Sequence, residues 1–215
     1  MAQPYPDRAT AGSELAARLT AYAHRDDVTV LGLVRGGVPV AVAVAARLAA
    51  PLDVLVVRKL GVPGAPEVAF GAIGPGGVLV RNEEIAAFLP AREIESVRER
   101  EEAERQRREE LYRAGRPAPD LAGRTAVIVD DGLATGATAR AAVRVARAMH
   151  ASRVVLAAPV GAPDAVARVA RIADEVVCPL TPPTFRAVSR YYRSFPQVSD
   201  AEVRALLGHA RLADG

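Results

Sequence analysis

Val127-Ile128-Val129-Asp130-Asp131-Gly132-Leu133-Ala134-Thr135-Gly136-Ala137-Thr138 is the most informative stretch of this 215-residue chain. A β-branched apolar run delivers two adjacent carboxylates to its end. A loop with two glycines follows, and a helical pattern begins at 138–150. A helix N-terminus offers unpaired N–H groups and about half a positive charge, so it holds phosphate without a basic side chain. Gly132 and Gly136 let the backbone approach a ligand, and Thr135 and Thr138 add hydroxyl donors. The acids repel phosphate but suit hydroxyl groups or Mg²⁺. Acid pair plus phosphate cradle implies a ligand with a phosphate and a vicinal diol, such as a ribose 5-phosphate. The plainer alternative is a strand–turn–helix whose aspartates only cap the helix.

The same pattern recurs on either side. Residues 28–34 form an apolar run followed by Arg35-Gly36-Gly37 and an Ala/Val-rich helix at 38–50, with Pro39 in its first turn. Residues 53–57 form a second strand ending in Arg58-Lys59, and 125–129 a third. A fourth spans 153–158, with a helix at 163–172, and a short fifth lies at 176–178. Before them, 7–24 reads as a helix capped by Asp7, with Leu15, Leu19 and Tyr22 as its apolar stripe. Continuous apolar strands alternating with helices predict an α/β fold, a parallel β-sheet flanked by helices. Such sheets carry ligands at the carboxyl ends of their strands, where Arg35, Arg58-Lys59 and Asp130-Asp131 all fall.

Residues 61–123 are too long for an ordinary connection and read as an insertion. Its first part predicts a hairpin, 68–73 and 78–81, around Pro75-Gly76-Gly77. Its second part, 92–113, predicts a solvated helix held by the i,i+4 pairs Glu101/Arg105, Glu104/Arg108 and Glu109/Arg113, each contributing about 0.3–0.5 kcal/mol. Residues 180–198 are irregular and hold four of the nine aromatics, Phe185, Tyr191, Tyr192 and Phe195. Ser199-Asp200-Ala201-Glu202 is a capping box for a last helix.

Composition narrows the function classes. Half the residues are hydrophobic and 25% charged, which excludes a wholly disordered chain. The length suits one domain, 1–215, with its insertion. A net charge of +3 is too weak to argue for nucleic acid, and acids match bases along 92–113. Of the 28 basic residues 27 are arginine, so the single lysine, Lys59, draws interest. No apolar run reaches about 18 residues, so no membrane span is expected. One cysteine, Cys178, and no basic-then-apolar leader favour a cytoplasmic location. Lys59 precedes Leu60, so there is no Walker A loop, and there is no G-x-S-x-G elbow. His24, His150 and His209 stand far apart in sequence, so a zinc site would require long-range folding.

Asp130-Asp131 through Thr138 resembles the 5-phosphoribosyl-1-diphosphate (PRPP) motif of the type I phosphoribosyltransferases. The resemblance implies a Mg²⁺-dependent transfer of the 5-phosphoribosyl group from PRPP to a small nitrogenous, nucleobase-like acceptor, with release of diphosphate. It assigns Asp130 and Asp131 to the ribose hydroxyls, with Mg²⁺ met indirectly through those hydroxyls or water. The loop Ala134, Thr135, Gly136, Ala137 and Thr138 would take the 5′-phosphate. Arg35, Gly36 and Gly37 resemble the family's pyrophosphate loop, and Arg58 and Lys59 its basic position near the leaving group. Alone, these two motifs read equally as a tight turn and as exposed strand-end charges. The 61–123 insertion corresponds to the flap and 180–198 to a small C-terminal hood. There Phe185, Tyr191 or Tyr192 would stack on the acceptor, or else form hood core or a dimer contact. Family members are often homodimers.

One position departs from the pattern. The 6-oxopurine members carry a third acid directly before T-G, where this chain has Ala134. The loop resembles the adenine-type pattern more, while the hood does not identify the acceptor. Two competing readings remain: a PRPP-sensing regulatory module without turnover, and a fold analogue that binds another sugar phosphate.

Overall fold

Apolar strands with no polar face must be covered on both sides, and the computed structural model, which describes residues 4–212, has that arrangement. In chain order its elements are α1 (Arg8–Ala16), β1 (Val28–Leu33), α2 (Gly37–Leu48), β2 (Leu52–Leu55), β3 (Arg58–Val62), β4 (Ala65–Ile73) and β5 (Leu79–Arg81). There follow α3 (Glu83–Ala86), α4 (Ala91–Arg113), β6 (Thr125–Val129), α5 (Ala137–Ala148), β7 (Arg153–Ala157), α6 (Pro163–Ala170), β8 (Glu175–Val177) and α7 (Asp200–Leu212). The main sheet has the order β2-β1-β6-β7-β8, and every neighbouring pair in it is parallel.

Successive residues of each strand serve opposite cores. Val30, Val127 and Val155 pack with Leu15 and Leu19 near α1 and with Val40 and Val44 of α2. Leu31, Ile128 and Leu156 pack instead with Ala142 and Val145 of α5 and Ala165 and Val169 of α6. A third cluster, Val54, Tyr112, Val203 and Leu207, seals the β2 edge beneath α4 and α7.

Three expectations need correction. The N-terminal helix stops at Ala16, and Thr20–Tyr22 is a separate 3₁₀ turn, although Asp7 caps α1 by accepting the Thr10 N–H at 2.8 Å. The second strand leaves the main sheet after Leu55, and Arg58-Lys59 open a new strand that pairs antiparallel with β4. The insertion is therefore a three-stranded sheet, β3-β4-β5, rather than a lone hairpin. A lone hairpin is marginal in water, and the added strand helps bury Leu60, Phe70, Ile73 and Val97 as one small core.

The charged helix is not simply solvated. Of the three anticipated pairs only Glu104/Arg108 forms, at 2.7 Å. Glu101 turns to Arg58 at 2.5 Å, and Arg105 pairs with Glu102 and Glu109. Arg113 reaches Asp53 at 2.9 Å and the Val54 carbonyl at 2.7 Å. Glu101, Arg105 and Arg113 are buried, so tertiary partners displaced the local spacing rule. The capping serine behaves as anticipated, with Ser199 Oγ accepting the Glu202 N–H at 3.1 Å.

Close packing at the strand ends yields a two-sided prediction. A Cβ on Gly37 would lie 2.4 Å from the Val129 carbonyl oxygen and 2.9 Å from Asp130 Cα, both backbone. Gly37→Ala should cost about 1–3 kcal/mol of unfolding free energy in a urea titration. Gly208 of α7 has open space around it, and Gly208→Ala should add up to about 1 kcal/mol by the same measurement.

Candidate active site

β1 and β6 are paired in register, Gly32 opposite Val129, so the chain segments leaving their carboxyl ends meet. Gly36 and Gly37 make the meeting possible. A Cβ on Gly36 would fall 2.2 Å from Asp131 Oδ2. The Arg35-Gly36-Gly37 turn and the acid pair are thus one surface, as the sequence placed them.

The two acids differ in environment. Asp130 Oδ1 accepts the Asp131 N–H at 2.9 Å. Burial first, and then the Asp131 charge, push the Asp130 carboxyl up to about 8. Asp131 Oδ2 accepts a charge-assisted hydrogen bond from Arg8 Nε at 2.9 Å, and Arg8 Nη2 completes the ion pair at 2.9 Å. Burial raises the Asp131 pKa as well, against the pull of the Arg8 charge. Arg8 is the residue that sequence reasoning missed. It also donates to the Pro196 carbonyl at 2.8 Å and lies 3.7 Å over the Phe195 ring. It sits 123 positions from Asp131, and no local signal links them.

The phosphate-loop candidates lie between β6 and α5. Ala134, Thr135 and Thr138 are exposed. Gly136 is the N-cap of α5 at φ 72°, a conformation that suits glycine, and the first turn carries no acid. Thr135 Oγ1 accepts the Ala137 N–H at 3.3 Å. Val188 of the hood presses on Gly132, where a Cβ would be 2.5 Å from Val188 Cγ1. The open amides of this turn can face an anion.

The cationic candidates have carboxylate partners. Arg35 Nη1 is 3.5 Å from Asp200 Oδ1, which also accepts the Tyr112 hydroxyl at 2.6 Å. Burial and that bond raise the Tyr112 hydroxyl to about 12. Arg58 is held by Glu101. Arg58 and Lys59 line a cavity of about 530 Å³ between the flap and the main sheet, together with Val34, Thr138 and Ala141. Asp130 and Asp131 lie outside its lining.

The aromatic candidates separate. Tyr192 is buried, packs 4.9 Å from Phe195 and 5.7 Å from Tyr5, and donates its hydroxyl to the Asp131 carbonyl at 2.7 Å. It is hood core and a brace for the acid pair, not a stacking platform. Phe185 and Tyr191 stack on each other at 5.6 Å and remain half-exposed. Among the described residues no group of three or more His, Cys, Asp or Glu could hold a metal. No helix among them is long and apolar enough to cross a membrane.

The Asp130 environment has a signed consequence. Its folded value, about 8, exceeds the ordinary 3.8, so the folded state holds an extra proton between those values. This favours the fold at acid pH and is lost as pH rises through 8. Asp130→Asn should therefore gain about 1–3 kcal/mol over the parent near pH 9 relative to their difference near pH 4. Thermal melts of both proteins across that range read the effect.

The family model for the phosphoribosyl transferase domain matches residues 4–195. A Mycobacterium tuberculosis H37Rv protein named "Putative phosphoribosyl transferase Rv0571c" is 56% identical over 208 residues, 96% of this chain and 47% of that protein. The chain thus spans about half the length of the curated relatives it matches. The crystal structure of TT1426 from Thermus thermophilus is 43% identical and superposes with a TM-score of 0.88, covering 95% of this chain and 98% of that one. A purine phosphoribosyltransferase from Pyrococcus horikoshii, 19% identical over 93% of this chain and 99% of that one, shares the fold at a TM-score of 0.50. With most of its length matched in sequence and in fold, the chain belongs to the phosphoribosyl transferase family.

Proposed function

We propose that this domain transfers the 5-phosphoribosyl group of PRPP to a small nitrogenous acceptor. The reading rests above all on one observation. The Arg35-Gly36-Gly37 turn touches the Asp130-Asp131 pair, beside an acid-free helix N-terminus. Groups suited to diphosphate, diol and phosphate are thereby gathered on one sheet edge.

In this reading the acceptor nitrogen attacks C1 of the ribose, the C1–oxygen bond to diphosphate breaks, and the acceptor gives up a proton. Positive charge grows on the sugar and negative charge on the leaving group. Fixed charge and positioning suffice, and no covalent nucleophile is required. Asp130 and Asp131 accept the ribose hydroxyls. The loop 134–138 receives the 5′-phosphate through its amides and threonine hydroxyls. Arg35, Arg58 and Lys59, with the Gly36 and Gly37 amides, receive the diphosphate. Arg35 and Arg58 each exchange a carboxylate, Asp200 or Glu101, for the incoming phosphates. The flap bounds the cavity and limits water, whose attack on PRPP is the competing reaction.

Mg²⁺ fits the donor set. Two adjacent carboxylates suit a hard cation that keeps water and phosphate as its main ligands. Asp130 and Asp131 would hold such an ion only indirectly, because Asp131 Oδ2 is engaged by Arg8, and a bound ion would supply charge neutralisation for the diphosphate. Phe185 and Tyr191 offer the apolar surface for the acceptor. Ala134, in place of an acid, disfavours a 6-oxopurine there.

Asp130→Asn combined with Asp131→Asn should lower PRPP-dependent diphosphate release at least about a hundredfold while the fold survives. The assay uses Mg²⁺ and a panel of nitrogenous bases. Undiminished release from the double variant refutes the assignment. PRPP binding by calorimetry with no diphosphate from any base would instead mark a sensor.

A further inference from the structure

A second cavity, of about 220 Å³, adjoins the larger one at Lys59 and Ala141. Lys59 and Ala141 line both, whereas Thr138 borders only the larger. The walls of the smaller cavity are α5 and the flap sheet. Arg140 and Arg144 enter it from α5, one turn apart, while Val68, Val80 and Ile85 supply an apolar side. Lys59 and Asn82 are its other polar groups, and no carboxylate is among its described lining residues.

Several guanidinium groups of the fold meet carboxylates, as in Arg8–Asp131, Arg58–Glu101, Arg113–Asp53 and Arg147–Asp174. None of the described ion pairs includes Arg140, Arg144, Arg168 or Arg171. The charged groups acting on Arg140 are Arg144, Arg168 and Arg171, all of its own sign. Burial first, and then those three neighbours, hold the Arg140 pKa below its ordinary value. Arg168 is steered by the Thr135 carbonyl, which accepts its Nη2 at 3.3 Å. Like charges gathered around Arg140 cost free energy, and an oxyanion between them offsets that cost.

We propose that the cavity between α5 and the flap sheet is a second oxyanion site, which takes a phosphate group between Arg140 and Arg144. Guanidinium forks match phosphate oxygens in pairs, and two of them one helical turn apart can grip one dianion. A phosphate there touches α5 on one side and β4 and β5 on the other, so it fastens the flap to the helix that starts at the donor loop. The chemistry is shared by free phosphate and by the phosphate of a nucleoside monophosphate. The site borders the transferase site through Lys59 and Ala137 but does not need turnover.

Titration calorimetry with inorganic phosphate, on the full chain, tests it. The parent should show a phosphate site that Arg140→Gln with Arg144→Gln weakens at least about tenfold. Thr135→Ala with Thr138→Ala, which alters the donor loop, should leave that site in place. Arg140→Lys with Arg144→Lys keeps charge and loses the fork, and should fall between parent and glutamine variant; it also serves if the latter fails to fold. A second titration uses adenosine 5′-monophosphate. Tighter arginine-dependent binding of the nucleotide than of phosphate identifies a nucleotide as the source, and the reverse identifies free phosphate. The proposal is overturned if both arginine variants bind phosphate as the parent does, or if the loop variant alone removes all phosphate binding. Because the readout is binding, a failure of PRPP turnover would leave this result standing.

Discussion

The candidate site depends on the parallel pairing of β1 with β6. That ladder brings together two turns far apart in the chain, and only glycine at positions 36 and 37 allows them to touch. The acid pair, the glycine turn and the start of α5 are arranged around this contact. The acids arrive on it from β6, the amides and Arg35 arrive from β1, and α5 begins within a few residues of it. A sheet buried on both faces fixes the two strands, so the polar turns inherit the rigidity of the core.

Charge compensation gives this edge its character. Arg8 meets Asp131, Asp200 meets Arg35, and Glu101 meets Arg58. Each pair joins the site to an element remote in sequence: the first helix, the last helix and the long helix of the insertion. These three cations are satisfied by carboxylates of the protein itself. In the function proposed above, a phosphate-rich ligand would take over two of these partnerships, and its hydroxyls would meet the aspartates. The hood contributes through the backbone, since the Tyr192 hydroxyl secures the carbonyl of Asp131.

The sequence made the architecture readable because burial on both faces leaves an uninterrupted apolar strand, and five such runs could be counted. The strand-end motif was readable because its residues are contiguous. What escaped has a common cause. Arg8, Glu101 and Asp200 act on partners far along the chain, and a helix-spacing rule cannot foresee that Glu101 prefers Arg58 to Arg105. Tyr192 looked like Tyr191, and only packing against Tyr5 and Phe195 separates a buried neighbour from a half-exposed one. The strand Arg58–Val62 was hidden because its residues have neither an apolar run nor a clean alternation, and its register slips at Gly61.

The long helix α4 has a mechanical consequence. At 23 residues it extends about 35 Å. Its early turns are rooted in the insertion through Val97 against Phe70 and Leu60, and its last turn is rooted in the main body through Tyr112 and Arg113. The insertion therefore cannot swing as a door on a loose hinge. The same stiff rod leads through Tyr112 to Asp200 and the side chain of Arg35, so the insertion and the Arg35 turn are braced by one helix.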